Sequence, residues 1–279
     1  MKFGIVVDSS SDLYTKDFQS ELFDFSIVPL NLTLGQKDYV DDDNLDIENF
    51  VNKMEQETGS MSSSCPSPGA FVQAYDKSDN VICFALTSQL SGCYNSAVIA
   101  KDLSLADNPN KNILVVDSKT TAGSLILLVE KTIELIKKGY EFDLISEEIL
   151  AYQKEMYLDF TLGSYKMLVS TGRMNPIVGG VASTLNIRPI AEATRDGAIK
   201  VIKKVHGVKK LYKELLNDMV AKKDISNKKI YIHHCYNEVD AMKLKDLILN
   251  DHPNSIVVIR ECKGLTSFYA QRGGIIVSF

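Results

Sequence analysis

The sequence contains none of the short motifs that mark the common nucleotide-binding proteins and serine hydrolases. It has no P-loop (G-x-x-x-x-G-K-[ST]) and no G-x-G-x-x-G fingerprint, the two glycine-rich motifs that bind nucleotide phosphates. The G-x-S-x-G turn of serine hydrolases is absent as well. A bound nucleotide is therefore not indicated, and a serine hydrolase built on that turn is excluded.

A basic excess, paired cysteines and a long apolar run are also missing. The 279 residues include 31 Lys and Arg against 36 Asp and Glu, and the resulting net charge of −5 argues against nucleic-acid binding. The longest apolar run, LILLV at 125–129, is far short of the ~18 residues that span a membrane. A strand-like pattern begins directly after Met1 and Lys2, which predicts no signal peptide. The cysteines lack C-x-x-C spacing and predict reduced thiols in a cytoplasmic protein. They lie at positions 65, 83, 93, 235 and 262.

The first part of the chain alternates strand and helix patterns. With 45% hydrophobic residues, the chain can build a sizeable core. Continuous apolar runs such as FGIVVD (3–8) are typical of buried parallel strands. FSIVPLNLTL (25–34) is interpreted as a further strand, with Pro29 at an edge or bulge. The helical pattern over 122–138 has one apolar face and ends at Gly139. This alternation predicts a mostly parallel sheet covered by helices.

Near residue 160 the pattern changes. The stretch STGRMNPIVGGVASTLNIRPIAEATRDGAIKVIKKV (170–205) predicts a loop, a helix, and then strands joined through the hairpin turn RDG. Helical patterns over 207–222 and 237–250 then alternate with strands. We therefore predict an α/β protein of two domains, 1–160 with a mostly parallel sheet and 161–279 with a mixed sheet.

Two clusters of small hydroxyl side chains lie just after predicted strands or at predicted helix starts, the first of them in a predicted loop that leads into a helix. They are SSSCPSPGAF at 62–71 and LTSQLSGCYNSA at 86–97. Ligands bind at the carboxyl edge of parallel sheets, and free N–H groups at helix starts attract anions there. The alternative is that Ser63, Ser67 and Ser91 are ordinary helix N-caps. Because both clusters fall at the same predicted edge, the pattern favours an anion site.

Other polar stretches carry less weight. IVVDSSSD resembles the strand and D-x-D motif of aspartate-nucleophile phosphatases, but Ser10 stands where the second acid is required. The HHC at 233–235 lies on a predicted strand, where neighbouring side chains point to opposite faces and cannot hold one ion. DDDNLD at 41–46 lacks the glycine of a calcium loop and is interpreted as a solvated turn. A phosphotransfer or hydrolase enzyme using Asp8 and Ser91 is kept as the alternative function.

Taken in order, the motifs resemble the DegV family of bacterial fatty-acid-binding proteins nearly from end to end. DSSSDL at 8–13 is similar to the family's Asp-Ser-x-x-Asp-Leu. SSCPSPGAF at 63–71 is similar to Thr-Ser-Gln-Pro-Ser-Pro-Gly, and LSGCYNSA at 90–97 to Leu-Ser-Gly-Thr-Tyr-x-Ser-Ala. The remaining matches are VDS, LVSTGRM and IRPIAEATRDGAI, at 116–118, 168–174 and 187–199.

The resemblance implies two α/β domains that bury a long-chain fatty acid such as palmitate. By that resemblance Ser63 and Ser91 hold the carboxylate, and the protein is a lipid carrier without catalysis of its own, in lipid transport or fatty-acid metabolism. It implies no cofactor, no metal and no catalytic residue, and a separate fatty-acid kinase as the partner that receives the bound acid. The candidate head-group neighbours are Ser64, Gly92, Arg173, Tyr269 and His206.

The sequence departs from the family pattern in three places. Ser63 replaces a threonine and keeps the hydroxyl. His206 stands near a position where relatives often carry arginine. YAQRGG at 269–274 replaces the family's His-x-Gly-Pro-Gly and puts Tyr269 where its histidine stands. The third departure bears more on the kinase partnership than on lipid binding.

Overall fold

The computed structural model describes residues 2–175 and 187–279. Within these residues it contains thirteen strands and nine α-helices. The strands are β1 (Phe3–Asp8), β2 (Phe23–Val28), β3 (Asn31–Leu34), β4 (Lys37–Val40), β5 (Met61–Ser64), β6 (Asn80–Ala85), β7 (Asn112–Asp117), β8 (Leu158–Thr161), β9 (Ile187–Ala193), β10 (Ile199–His206), β11 (Lys229–His234), β12 (Ile256–Glu261) and β13 (Ile275–Ser278). The helices are α1 (Ile47–Gln56), α2 (Pro68–Tyr75), α3 (Cys93–Asp107), α4 (Gly123–Lys137), α5 (Phe142–Gln153), α6 (Lys166–Ser170), α7 (Val208–Lys222), α8 (Glu238–Asp251) and α9 (Gly264–Ala270).

The first sheet is fully parallel, in the order β2-β1-β6-β7. Every residue of β1 and β6 is buried, which explains their continuous apolar sequences. The three strands β1, β6 and β7 end at Asp8, Ala85 and Asp117, so their carboxyl ends share one edge. The predicted mostly parallel sheet is confirmed.

The second sheet is mixed, in the order β10-β9-β8-β13-β11-β12. Only β11 and β12 pair in parallel among its described strands. The RDG turn joins β9 to β10 as predicted, with Gly197 at a φ of +91° that favours glycine. The mixed sheet is confirmed, whereas the domain division near residue 160 stays a prediction. The helix predicted between 175 and 187 lies outside the described residues.

A small antiparallel sheet, β4-β3-β5, was not predicted from the sequence. The segment interpreted as one strand over 25–34 is two strands, β2 and β3, and the chain leaves the parallel sheet at Pro29, which has no N–H to donate. The first hydroxyl cluster begins on strand β5 rather than in a loop. The acidic stretch at 41–46 is also not simply solvated. Asp41 is fully buried, and Asp46 caps α1 by accepting a hydrogen bond from Asn49 N at 3.0 Å.

Helix α4 packs against both large sheets, with contacts to β1, β11 and β13. The apolar residues predicted for its inner face are all buried, and Gly139 follows its end with a φ of +76°. Gly123 allows the close approach of α4 to the second sheet. A Cβ at this position would lie 2.5 Å from Tyr231 Cβ and 3.1 Å from Ser278 Cβ. Within the described residues, no helix combines the length and apolar character needed to cross a membrane.

Candidate functional site

A cavity of about 300 Å³ lies where the carboxyl edge of the first sheet meets the second sheet. Of the described residues that line it, Arg173 is the one with a charged side chain. The segments that follow β6 and β7, the second sheet, the small sheet and α9 contribute to the wall. The wall is mostly aliphatic and aromatic, and it includes Leu86, Leu158, Phe160, Leu162, Leu265 and Ile276. Such a wall fits a long apolar ligand.

The two hydroxyl groups of Ser63 and Tyr269 form the hydroxyl pair of this cavity. Ser63 Oγ and Tyr269 OH lie 2.8 Å apart, although 206 residues separate them in sequence. Ser63 is half-buried on β5 and lies opposite Leu32 of β3. Tyr269 is half-buried on α9, where its ring meets Phe268 edge to face with centroids 5.0 Å apart. A ligand oxygen at this point can receive hydrogen bonds from both hydroxyls.

Ser91 lies at the start of α3, next to the first cluster. Its Oγ accepts a hydrogen bond from Cys93 N at 3.3 Å, and its own N–H donates to Thr87 O at 3.2 Å. The N-cap residue of α3 is Gly92, and no side chain from the N-cap position bonds to the first turn. A Cβ at Gly92 would lie 3.0 Å from Cys65 Sγ, so the two hydroxyl clusters meet here. The partial positive charge of the helix start favours an anion at this end of the cavity.

Arg173 is held in place beside the second cluster. Its Nε donates to Leu90 O at 3.2 Å, and its Nη1 donates to Thr171 O at 2.6 Å. The half-buried guanidinium therefore supplies a fixed positive charge in the cavity wall next to Ser91. The anionic part of a ligand is best placed on this side.

The remaining predicted neighbours divide into two groups. Ser64 and Gly92 line the cavity together with Ser63, Ser91 and Tyr269. His206 does not line the cavity; it is exposed at the end of β10. The N-cap interpretation holds for Ser67, whose Oγ accepts from Ala70 N at 3.4 Å at the start of α2.

Asp8, the candidate nucleophile of the alternative enzyme, is buried outside the cavity lining. Its Oδ1 accepts from Ser10 N at 3.0 Å and from Ser10 Oγ at 2.5 Å, and its Oδ2 accepts from Leu86 N at 2.6 Å. Burial raises the pKa of this carboxyl above its ordinary value. Asp8 therefore ties the ends of β1 and β6 together, and both of its oxygens are engaged.

One group of carboxylates could in principle hold a metal ion. Within the described part of the chain, Asp159, Glu192 and Asp218 each offer an oxygen within 4.8 Å of the others. The Lys222 ammonium lies among them, 2.5, 2.7 and 2.6 Å from the three respective oxygens. Burial raises the pKa of Asp159 to about 7. An internal cation already occupies this cluster, which therefore ties α7 to β8 and β9.

Several residues of the site were not identified from the sequence. Thr120 and Thr266 line the cavity, and so does most of its apolar wall. Helix α9 was not predicted, because GLTSFYA has no charged residue and only a short apolar pattern. The apolar residues of β8 (LDFT) alternate with polar ones and those of β13 (IIVS) form a continuous run, but both patterns are typical of strands in general and do not mark a ligand site.

The chain is similar over its whole length to known proteins. A family model described as an uncharacterised protein of the DegV family matches residues 2–278. A DegV domain-containing protein of Streptococcus pyogenes serotype M1 is 38% identical over 279 residues, which cover 100% of this chain and 99% of the relative.

Two solved structures are similar in fold and sequence. The fatty acid kinase (Fak) B3 protein of Streptococcus pneumoniae, loaded with linoleic acid, matches with a TM-score of 0.96 at 32% identity, covering 100% of this chain and 99% of that one. A DegV family protein of Eubacterium eligens, loaded with heptadecanoic acid, matches with a TM-score of 0.93 at 30% identity. That match covers 99% of this chain and 98% of the other.

Proposed function

The chain belongs to the DegV family, and from this membership and the geometry of the cavity we propose that it binds a long-chain fatty acid. The alkyl tail lies against the apolar wall, and the carboxylate lies at the hydroxyl pair and Ser91. The observation that carries the proposal is one cavity in which an apolar wall ends at the 2.8 Å pair of Ser63 and Tyr269. The fatty acids held by the two similar structures support the same ligand class.

The tail supplies most of the affinity. Each methylene removed from water gains about 0.8 kcal/mol, so a ~16-carbon tail gains at most roughly 11 kcal/mol before the costs of association. At about 300 Å³ the cavity is at the lower end of the range for ligand pockets, roughly 300–1,000 Å³. Such a cavity suits a thin ligand such as a single alkyl chain.

The polar groups fix the position of the carboxylate. Removing a carboxylate from water is unfavourable by several kcal/mol unless it is hydrogen-bonded. Each hydrogen bond to a charged group contributes about 1.5–3 kcal/mol of stabilisation. Ser63, Tyr269 and Ser91 supply the hydroxyl donors, while Arg173 and the start of α3 supply positive charge. Hydroxyls can donate to a carboxylate without changing their own protonation state, so holding the acid requires no proton transfer at the site.

We further propose that the protein is a carrier rather than an enzyme, and that a separate kinase phosphorylates the bound acid. The sequence has no P-loop, so the nucleotide would come with the partner. The similar fatty acid kinase B3 protein supports this partnership. No observation favours the alternative enzyme, because Asp8 lies outside the lining and its oxygens accept bonds from Ser10 and Leu86.

A competition experiment tests the proposed binding mode. Linoleate and its methyl ester share one tail, and only linoleate carries a charged head. Each is titrated against a fluorescent fatty acid bound to the delipidated full-length chain. We expect linoleate to displace the probe and the ester to bind at least about tenfold more weakly, from the loss of one or more hydrogen bonds to a charge. If the ester binds as tightly as linoleate, the head-group assignment is wrong. If neither displaces the probe, and the probe itself shows no saturable binding, the proposed function is wrong.

A further inference from the structure

The first backbone N–H groups of α9 are bonded by two aspartates from the far end of the sequence. Asp12 Oδ1 accepts from Lys263 N at 2.9 Å. Asp41 accepts from Gly264 N at 2.9 Å and from Leu265 N at 3.0 Å, using one oxygen for each. These groups have no partner within the helix itself, so the aspartates serve as its cap.

Both aspartates are held rigidly. Asp12 is 1% exposed and Asp41 is fully buried. Asp12 Oδ1 also accepts from the Thr266 hydroxyl at 2.5 Å. Asp41 N donates to Leu30 O at 2.9 Å. The approach of Asp41 to the helix requires a glycine, since a Cβ at Gly264 would lie 2.5 Å from Asp41 Oδ1.

Positive charge from Lys263 opposes the effect of burial on the two aspartates, although burial is the larger effect and raises the pKa of both carboxyls. Lys263, at the N-cap position of α9, is 1% exposed. Its ammonium donates to Leu13 O at 2.8 Å, lies 3.3 Å from Asp43 Oδ1, and sits 4.1 Å from the ring centroid of Tyr14. The partial positive charge of the helix start acts in the same direction. The hydrogen bonds from Lys263 N, Gly264 N and Leu265 N to the two carboxyl groups hold the start of α9.

The cavity side of the same helix carries the ligand-facing groups. Leu265, Thr266, Tyr269 and Ala270 all line the cavity, and Tyr269 OH reaches Ser63. Ser63 lies on β5, which pairs with β3. Asp41 directly follows β4, which pairs with the other edge of β3. Both members of the hydroxyl pair are thereby positioned from one small sheet.

We propose that Asp12 and Asp41 are positioning residues of the fatty-acid head-group site: by capping α9 they set the position of the Tyr269 hydroxyl against Ser63. Neither aspartate lines the cavity, so each acts through the helix. The inference rests on the proposed function for the identity of the ligand. The position of the tyrosine hydroxyl can be measured without any ligand.

The test compares linoleate binding by Asp12→Ala, Asp12→Asn, Tyr269→Phe and the double variant Asp12→Ala/Tyr269→Phe. Tyr269→Phe is expected to weaken binding roughly 5- to 30-fold, the effect of one hydrogen bond to a charge less that of the neutral hydrogen bond lost from the free protein. Asp12→Ala should weaken linoleate binding to a similar extent. The double variant should bind linoleate about as tightly as the weaker-binding of the two single variants, because both changes act on the same hydrogen bond. Asp12→Asn keeps an acceptor oxygen for Lys263 N and should bind within about twofold of wild type. Asp43→Ala is the matched control, because Asp43 contacts the Lys263 ammonium but no backbone group of α9.

The inference would be overturned if Asp12→Ala bound linoleate as tightly as wild type. It would also be overturned if the fold-loss of affinity in the double variant equalled the product of the two single fold-losses. Either result would leave the proposed function intact. If wild type itself does not bind linoleate, a crystal structure of Asp12→Ala decides, and an unchanged 2.8 Å separation of Ser63 Oγ and Tyr269 OH overturns the inference. If Asp12→Ala does not fold, Asp41→Asn takes its place. That change leaves a donor facing the N–H of Gly264 or Leu265, and the same pattern of losses is expected.

Discussion

Tyr269→Phe removes one oxygen from the polar end of the cavity and leaves the packing of the ring in place. The edge-to-face contact with Phe268, with centroids 5.0 Å apart, survives the change. In the free protein the lost bond is neutral, and the half-buried Ser63 hydroxyl can bond to water instead. We therefore expect the free energy of unfolding to fall by no more than about 1 kcal/mol.

The effect on the complex is larger, because the acceptor there is charged. A hydrogen bond to a carboxylate contributes about 1.5–3 kcal/mol, against roughly 0.5–1 kcal/mol lost from the free protein. The difference is about 1–2 kcal/mol, or a roughly 5- to 30-fold weaker dissociation constant. Competition of linoleate against a fluorescent fatty acid measures it. Tyr236→Phe is the matched control, since Tyr236 is half-buried outside the cavity and stacks on Arg272. Wild-type affinity in Tyr269→Phe would refute the role of this hydroxyl.

Three further predictions concern the site, the buried charges and the packing of α4. Ser63→Ala and Ser91→Ala should each weaken linoleate binding by about 1–3 kcal/mol in the same competition assay, and a double variant with wild-type affinity would contradict the head-group site. Burial raises the pKa of Asp12 to about 7, so the folded state keeps a proton that the unfolded chain loses near pH 4. The ionisation of Asp12 therefore lowers the free energy of unfolding as pH rises from about 4 to 7. Urea unfolding of Asp12→Asn should therefore show stability that rises with pH relative to wild type, by up to about 4 kcal/mol over that range, and parallel pH curves would show the assignment to be wrong. Gly123→Ala should lower the free energy of unfolding by about 1–3 kcal/mol because its Cβ would lie 2.5 Å from Tyr231 Cβ, whereas Gly69→Ala, with its nearest atom at 3.8 Å, should be close to neutral.

His233 acts on stability in the opposite direction to Asp12 over much of the same pH range. Its ring is fully buried, and burial lowers its pKa to about 3, so between about pH 3 and 6.5 only the unfolded state takes up the proton. This term raises stability as pH rises. His233 Nε2 lies 3.7 Å from Asp12 Oδ2. The histidine term is present in wild type and in Asp12→Asn alike, so it cancels in the comparison, and the steeper gain of stability with pH in the variant reports the loss of the Asp12 term.

Local patterns were sufficient to predict the two large sheets. The buried strands are continuous apolar runs in the sequence. The turn at Gly197 has a positive φ, which glycine adopts readily, and the RDG sequence indicated it. The break at Pro29 was visible, but its consequence was not, because a strand that leaves one sheet and joins another depends on partners distant in sequence. Strand β5 was missed for the same reason, since MSSS has no apolar alternation and exists as a strand only through pairing with β3.

The site was predicted in part because its hydroxyl groups lie in short local motifs. The aspartates that hold α9 contact it only through residues distant in sequence. Ser63 and Ser91 lie in short stretches rich in hydroxyl side chains, and Arg173 was predicted from the resemblance of its stretch to the family pattern. The stretch that begins at Asp41 was interpreted as a solvated turn, and the burial of Asp41 depends on N–H groups 223 and 224 residues further on. His206 was expected near the head group and is exposed instead, because the register of β10 places it at the end of the strand.

Native mass spectrometry of the full-length chain tests the central claim most directly. The chain is purified from bacterial cells without detergent, and a second sample is delipidated and then incubated with equimolar linoleate. The account predicts one long-chain fatty acid per chain in the first sample and one linoleate per chain in the second, with the adduct reduced in a Ser63→Ala/Tyr269→Phe variant. Bare chain in both wild-type samples, under conditions that keep the protein folded, would contradict it.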